Sequence, residues 1–419
     1  KGVDDVRPIA IAGTYRKIVL SALKQAFNLN HTKLFAGTQY GMTRSGADKV
    51  VHVLRAASEV FPDDCNLVVL DAINAFNSAR REPAFSLARQ HFSPLMRIIN
   101  ALYGGQSSLR LNQAPHALVT ILAEMGVQQG CVLGSWLYCL SIHPLIEKIQ
   151  EAMAGAGMVK FFMDDGNLAG TFEATMAAFQ VIREEGHKYG YHIKWKAARY
   201  MMAKCDYQEA IRRADALIAL GFSPANVIIH PDSLLSAPST YATTCGVSVL
   251  GSFIGRPEYV RARLAAKQAE WDNEAAQLLK VTDLQTRFML LTWCFKSKSH
   301  YWLRTTQADH LADLTVKFDA TKRRIMESIL QPSCRAPQDA LSDIDWQICQ
   351  LNVSCGGLGL ELSANVQHAA TLAAAVAVGP SLSIVGNLTD RFSAPLSPQE
   401  PASVVRDFHQ ALATFTAIQ

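Results

Sequence analysis

The sequence predicts an α+β fold, because helical and strand-like segments intermix without the strict alternation of a doubly wound sheet. Three observations carry that expectation. Short apolar runs rich in β-branched residues, NLVVL at 66–70 foremost, read as buried strands. Longer stretches with apolar residues at helical spacing lie among them, as in residues 14–30. Two compact stretches add to them: 158–170 has the composition of a β-hairpin, and 246–255 alternates like a strand with glycine punctuation.

Taken in order, TYRKIVLSALKQAFNLN (14–30) sets Ile18, Leu20, Leu23 and Phe27 near helical spacing, and residues 46–60 read as a second helix. NLVVLDAINAF (66–76) begins as a buried strand that ends at Asp71. Residues 82–102 are helical again. Residues 106–125 read as a strand pair: Leu109 and Leu111 alternate with polar residues, Ala117 to Leu122 are mainly apolar, and Asn112 to Pro115 supply the turn. GVQQG (126–130) is a loop ahead of a long apolar helix from Leu133 to Met153. MVKFFMDDGNLAG (158–170) is a hairpin around Asp-Asp-Gly, and residues 171–190 form another helix. Residues 195–240 are mixed. GVSVLGSFIG (246–255) alternates like a strand, and residues 256–330 are helical and basic. GGLGLE (356–361) breaks the helical run ahead of an Ala-rich helical tail, and Pro380 and the Ser/Pro-rich piece 393–401 read as loop or linker.

Composition narrows the class. A 49% hydrophobic and 18% charged chain of 419 residues can build a large globular core. No uninterrupted apolar run approaches the ~18 residues of a membrane span. The N-terminus lacks the layout of a signal peptide, and it begins with Lys1 rather than Met, as expected for a piece of a longer chain. Nine cysteines form no CxxC pair, which argues against a disulfide framework and for a reducing, intracellular setting, nuclear or cytoplasmic. The spacing of Cys349, Cys355 and His368 matches no common zinc site. The net charge is only +4, but residues 1–60 carry nine Lys/Arg against four Asp/Glu and residues 255–330 thirteen against nine. Two separated basic segments suit a protein that grips a phosphate backbone from two sides, and equally suit solvated helix faces.

The carboxylates are the most informative feature. Asp71 terminates an apolar strand, which sets its side chain at a sheet edge within reach of a ligand. Asp164 and Asp165 adjoin at a hairpin tip, where they repel one another unless a cation neutralises them. Brought together, the three make a site of hard oxygen ligands suited to Mg²⁺, which takes a few carboxylates plus substrate phosphates. Two such ions roughly 3.5–4 Å apart form the clamp of nucleotidyl transfer. Alone, each acidic site reads more readily as structure, Asp-Asp-Gly as a surface turn and Asp71 as a helix cap.

Read in order, RPIAIAGTYRKIV (7–19), LDAINAFN (70–77), GVQQGCVLGSWLYCLSIHPL (126–145), FMDDGNLAG (162–170) and VLGSFIG (249–255) resemble successive motifs of reverse transcriptases, most closely those of non-LTR, target-primed retrotransposons. The resemblance extends to about residue 365 through WCFKSKSHYWLRT (293–305) and NVSCGGLGLE (352–361). It implies a right-hand polymerase with an antiparallel palm sheet and a helical thumb. Residues 1–65 would be partial fingers, 66–245 palm with inserted fingers elements at about 80–125, 246–330 primer grip and thumb, and 331–419 a C-terminal helical extension.

The resemblance also implies roles. Asp71, Asp164 and Asp165 would hold two Mg²⁺ ions, with Mn²⁺ able to substitute. Phe76, five residues after Asp71, would sit under the sugar and exclude a 2′-hydroxyl, although from the sequence alone it reads as a core aromatic. Gln129 and Gly130 match a Gln-Gly loop beside the nascent base pair, where glycine permits close approach; the proline usual after it is replaced by Val132. Arg7 would approach the incoming triphosphate, with Arg16 and Lys17 as further candidates. Leu250 and Gly251 resemble the primer-grip turn. Lys194 and Lys196 share the candidacy for a general acid. Trp293, Tyr301 and Trp302 are thumb core or base-stacking platforms. Expected partners are an RNA template, a DNA primer or target and deoxynucleoside triphosphates, with no membrane. The activity implied is RNA-directed DNA polymerisation in retrotransposition; the alternatives are a polymerase-derived RNA-binding protein without catalysis and an RNA-templated RNA polymerase, against which Phe76 argues. No endonuclease, RNase H or zinc-knuckle pattern is present in these residues.

Overall fold

Five strands make the principal sheet, in the order β4-β5-β1-β6-β7. They are β1 (Asn66–Leu70), β4 (Gly157–Phe162), β5 (Asp165–Gly170), β6 (Arg199–Met201) and β7 (Val227–Ile228). In this computed structural model residues 9–29, 33–113, 117–153, 155–234, 245–330, 341–385, 388 and 396–418 are described. Arg7 lies outside them.

β1 sits at the centre because its side chains are apolar on both faces: Leu67, Val68 and Leu70 are each essentially inaccessible. Burying each such side chain contributes about 1.5–3 kcal/mol. β1 pairs antiparallel with β5 and β6, and β4 with β5. The β6–β7 pair is parallel, so the sheet is mixed rather than wholly antiparallel.

Two helices cover this sheet. Gly134–Ala152 is apolar nearly all round and buried along most of its length, as the sequence predicts for an internal helix. Phe172–Tyr189 packs beside it; the Thr171 hydroxyl caps its first turn by accepting from the Ala174 N–H at 3.2 Å. The expected helix over 82–102 is broken into Arg81–His91 and Met96–Tyr103 by a short turn at Ser93–Leu95, because Pro94 cannot continue the ladder. β2 (Ser107–Gln113) and β3 (Ala117–Ala123) form a separate two-stranded ribbon. Asn112 and Gln113, expected in its turn, belong to β2.

The chain divides into two compact units: Lys1–Val50 with Phe61–Leu250, and Val51–Val60 with Gly251–Gln419. The first contains the sheet and its covering helices. Strands β8 (Gly246–Val249) and β9 (Ser252–Gly255) flank the division. Between them Leu250 and Gly251 both have positive φ, 48° and 84°, the pattern of a type I′ hairpin turn.

The second unit is helical. Its core gathers Phe253, Trp271, Phe295, Trp302 and Phe318. Several cations of its basic stretch work internally. Lys322 is buried against Asp319 at 2.8 Å and donates to the Glu361 carbonyl, while Lys296 donates to the Gly359 carbonyl at 2.9 Å. These two lysines pin the Gly-rich segment 356–361. Arg55 is buried and donates to the carbonyls of Thr305 (2.6 Å) and Phe253 (3.2 Å). Glu59 accepts from the Ser403 N–H at 2.7 Å, and Asp407 from the Ala308 N–H at 3.2 Å. Both carboxylates belong to a buried ionic knot that ties in the C-terminal helix Ser403–Ile418. Among the described residues no helix is long and apolar enough to cross a membrane.

Candidate active site

β1 and β5 are in register with Leu70 opposite Gly166. Continued by one residue, that register sets Asp71, which follows β1, across from Asp165, which opens β5. Directly opposed residues of an antiparallel pair have Cα atoms roughly 4.5–5.5 Å apart. On its other side Asp71 is held by the segment after Gly190: its carbonyl accepts from the Lys194 N–H at 2.8 Å, and Ala72 bridges to Ile193. The aspartate is therefore fixed between two neighbouring backbone segments.

The hairpin turn falls one residue earlier than the Asp-Asp-Gly composition predicts. Phe162 pairs with Asp165, so Met163 and Asp164 make a two-residue loop and Gly166 lies within the strand. Met163 has φ 56° at the loop position where glycine is usual. A non-glycine residue there costs about 1–2 kcal/mol. Asp164 is half-buried and Asp165 exposed.

Two buried tyrosines lie under the carboxylates. The Tyr191 hydroxyl donates to the Asp164 carbonyl at 3.4 Å. Burial pushes that phenol well above its ordinary range, and Asp164, Asp165 and Asp71 push it further, in that order. The Tyr138 hydroxyl is raised likewise, first by burial, then by Tyr191 and Asp164, with lesser help from Cys139 and Asp165. All three carboxylates thus raise the same buried phenol, while the register of β1 and β5 sets Asp71 and Asp165 opposite one another. Both phenols stay protonated.

Phe76 stands on the short helix Ala75–Ser78, half-buried, with its ring stacked on Tyr138 at 4.5 Å and 15°. Its carbonyl accepts from the Val127 N–H at 2.8 Å, which couples the turn to the loop that leads to Gln129. Arg81 secures the same loop: its guanidinium donates to the carbonyls of Gly126, Tyr103, Gly105, Ala123 and Met125. Gln129 bridges to Ile9 and accepts from the Ala10 N–H at 2.7 Å. Gly130 has φ 95°, and a Cβ there would stand 2.5 Å from the Ala10 carbonyl oxygen, so glycine is required twice over. Arg16 donates to the Gln128 amide at 3.2 Å, adjoining this loop, and Lys17 is exposed.

The donor set fits hard divalent cations. The carboxylates supply oxygen only, and the nearby Cys139 thiol is buried and held in its neutral form, chiefly by burial and then by Asp164. Among the described residues no group of three or more His, Cys, Asp or Glu side chains is arranged to hold a metal ion by itself. Mg²⁺ does not need one, since it is usually held by one or two carboxylates together with substrate phosphates.

Sequence reasoning missed the groups that shape this site. Tyr138 lies inside the segment 126–145 but bears no cue of its own there, and Tyr191 and Gln39, the latter buried beside the hairpin tip, lie outside every motif. Of the two candidate lysines, Lys194 is the one bonded through its backbone to Asp71; the Lys196 carbonyl accepts instead from Asn226. Of the three aromatic residues, Trp302 is core, Tyr301 packs against that core, and Trp293 is 73% exposed.

An aspartate-ended strand beside an acidic hairpin, with an aromatic turn and a Gln-Gly loop alongside, is the arrangement that the resemblance to template-directed polymerases implies. Residues 1–223 match the family model described as reverse transcriptase (RNA-dependent DNA polymerase), and the chain belongs to that family. It is 22% identical over 375 residues to the retrotransposable element SLACS 132 kDa protein of Trypanosoma brucei gambiense; the match covers 86% of this chain and 27% of that protein. The chain therefore spans about a quarter of that relative's length. Both findings agree with the resemblance to non-LTR retrotransposon reverse transcriptases carried by the motifs. Among solved structures, the telomerases of Candida albicans and Candida tropicalis, each complexed with a TWJ fragment of telomeric RNA, are similar at 10% and 8% identity with TM-scores of 0.34 and 0.36. These matches cover 81% and 95% of this chain and 58% and 57% of theirs. That likeness is too slight to bear on the fold.

Proposed function

We propose that this chain is the polymerase core of a retrotransposon reverse transcriptase, adding deoxynucleotides to a primer 3′ end on an RNA template by two-metal transfer. The observation that carries the reading is the register that sets Asp71 across from Asp165, with Asp164 next to it in the hairpin turn. Binding RNA alone does not need carboxylates gathered on neighbouring strands, where their repulsion is costly unless offset.

In this reading Asp71, Asp164 and Asp165 hold the ions. Two Mg²⁺, when bound, lower the pKa of the primer 3′-hydroxyl and offset charge on the departing pyrophosphate. Mn²⁺ can replace them. Phe76, braced by the Tyr138 ring, excludes the 2′-hydroxyl of a ribonucleotide. Gln129 and Gly130 line the nascent base pair, and Arg7 approaches the triphosphate. Lys194 is the favoured proton donor to pyrophosphate, because its amide is bonded to Asp71. Leu250 and Gly251 grip the primer end.

We place the molecule among right-hand polymerases, with residues 66–245 as palm and 246–330 as primer grip and thumb. The division of the chain at Leu250 supports that boundary. The eight free thiols among the described residues accord with a reducing compartment, nuclear or cytoplasmic. Incubating the purified chain with a DNA primer annealed to RNA, deoxynucleotides and Mg²⁺ or Mn²⁺ should give extension; no extension with either ion overturns the reading.

A further inference from the structure

The Met163–Asp164 turn is held from outside its own hairpin. Gln39 is 1% exposed, and its carboxamide grips the Met163 backbone twice. Oε1 accepts from the Met163 N–H at 2.9 Å, and Nε2 donates to the Met163 carbonyl at 3.1 Å. Oε1 also accepts from the Gly41 N–H at 2.9 Å. The orientation is unambiguous, since a flipped amide would set its NH₂ against two N–H groups.

The segment that carries Gln39 is itself anchored to the hairpin. Tyr40 N–H donates to the Phe161 carbonyl, and Phe161 N–H to the Thr38 carbonyl, each at 2.7 Å. The buried Lys160 ammonium donates to the Gly37 carbonyl at 2.5 Å. A Cβ at Gly41 would stand 2.7 Å from the Met163 nitrogen, so the chain passes as close to the turn as glycine permits. The Met163 sulfur, itself close to Gly41, also meets Cys139 Sγ at 3.7 Å. Met163 is thereby confined in a left-handed conformation that its own side chain disfavours.

We propose that Gln39 is a positioning residue of the active centre: by clamping the Met163 backbone it fixes the turn that presents the Asp164 and Asp165 carboxylates. The inference rests on the polymerase reading for its catalytic consequence, but the clamp is a property of the protein alone. Gln39→Met keeps the volume and removes all three bonds. It should lower kcat for primer extension about 10- to 100-fold, the scale of a misplacement near 1 Å, while the KM for template–primer changes less than threefold. In a Met163→Gly background, where the turn no longer needs restraint, the same change should cost less than threefold in kcat. Gln39→Glu, which retains acceptance from the Met163 N–H but not donation to its carbonyl, should fall between.

Hydrogen exchange read by mass spectrometry on the metal-free full chain separates the clamp from the chemistry. The peptide containing Met163 should exchange at least tenfold faster in Gln39→Met, with the peptides of β1 and Phe172–Tyr189 unchanged. A kcat within twofold of wild type, or an equal loss in both backgrounds, overturns the proposal. If the wild-type chain extends no primer, the polymerase reading fails, and unaltered exchange at Met163 would then sink the clamp as well.

Discussion

Asp407→Asn should make the second unit more stable at alkaline pH and change little in acid. Asp407, on the C-terminal helix, shares a buried site with Arg55 and a second carboxylate, Glu59, on which Arg406 also acts. The Asp407 carboxyl is pushed up to about 7, chiefly by burial; the Ala308 N–H and Arg55 oppose that, and Asp309 and Glu59 add to it. The ordinary value is 3.8. Below it both folded and unfolded chains hold the proton, and the group contributes nothing. Between 3.8 and about 7 only the folded chain keeps the proton, so this group erodes stability as pH rises. The gap of about three units, at 1.36 kcal/mol each, sets a ceiling on the order of 4 kcal/mol, reached above pH 7. The asparagine carries no charge and its Oδ1 can still accept from Ala308. The assay is urea unfolding at pH 5, 6.5 and 8, followed by tryptophan fluorescence, since four of the six tryptophans, Trp271, Trp293, Trp302 and Trp346, lie in this unit. The advantage of the variant should grow with pH to about 2–4 kcal/mol at pH 8 with an unchanged m value. An advantage independent of pH, or a variant weaker than wild type at pH 8, refutes the reasoning.

Other outcomes follow from the site. Phe76→Val should admit ribonucleotides: an extra oxygen forced into a packed site costs about 1–3 kcal/mol, so relief of it should shift the deoxy-to-ribo ratio of kcat/KM about 5- to 150-fold, and an unchanged ratio in competition on one primer removes the gate from Phe76. Tyr138→Phe should keep the stack under Phe76 and raise stability by about 1 kcal/mol, because the buried Tyr138 hydroxyl has no hydrogen-bond partner among the described residues; a loss of stability in thermal unfolding would show that the hydroxyl is satisfied. Gly130→Ala should destabilise by at least about 1–2 kcal/mol, since it combines a left-handed residue with overlap on the Ala10 carbonyl; a melting temperature equal to wild type would mean that the loop is free to move.

Much of the first unit was legible because local pattern and tertiary role agree there. The β-branched run 66–70 is a central strand, and Asp71 ends it as the apolar pattern requires. The apolar helix is found at Gly134–Ala152 within a residue of its expected ends. The hairpin tip was misread by one residue for a physical reason. Gly166 looks like a turn glycine, but its lack of a side chain serves space: a Cβ there would meet the Tyr191 hydroxyl and the Phe161 ring, each at 2.9 Å. The turn instead uses Met163, whose conformation depends on Gln39, 124 residues earlier. No short-range pattern encodes such a contact. Charge counting met the same limit. Lys322, Lys296 and Lys160 count as basic surface in a sequence, yet each ammonium is spent on a backbone carbonyl inside the fold. Arg7, the candidate for the triphosphate, lies outside the described residues.

If Asp71, Asp164 and Asp165 form a metal-dependent polymerising centre, Asp164→Asn disables it. The change keeps the size of the side chain and removes one charge. Primer extension on RNA with Mg²⁺ should be abolished, with at least a hundredfold loss, while RNA affinity measured at fixed salt stays within twofold of wild type. Extension at the wild-type rate would contradict the account; loss of RNA binding together with activity would show that Asp164 supports the fold rather than the chemistry.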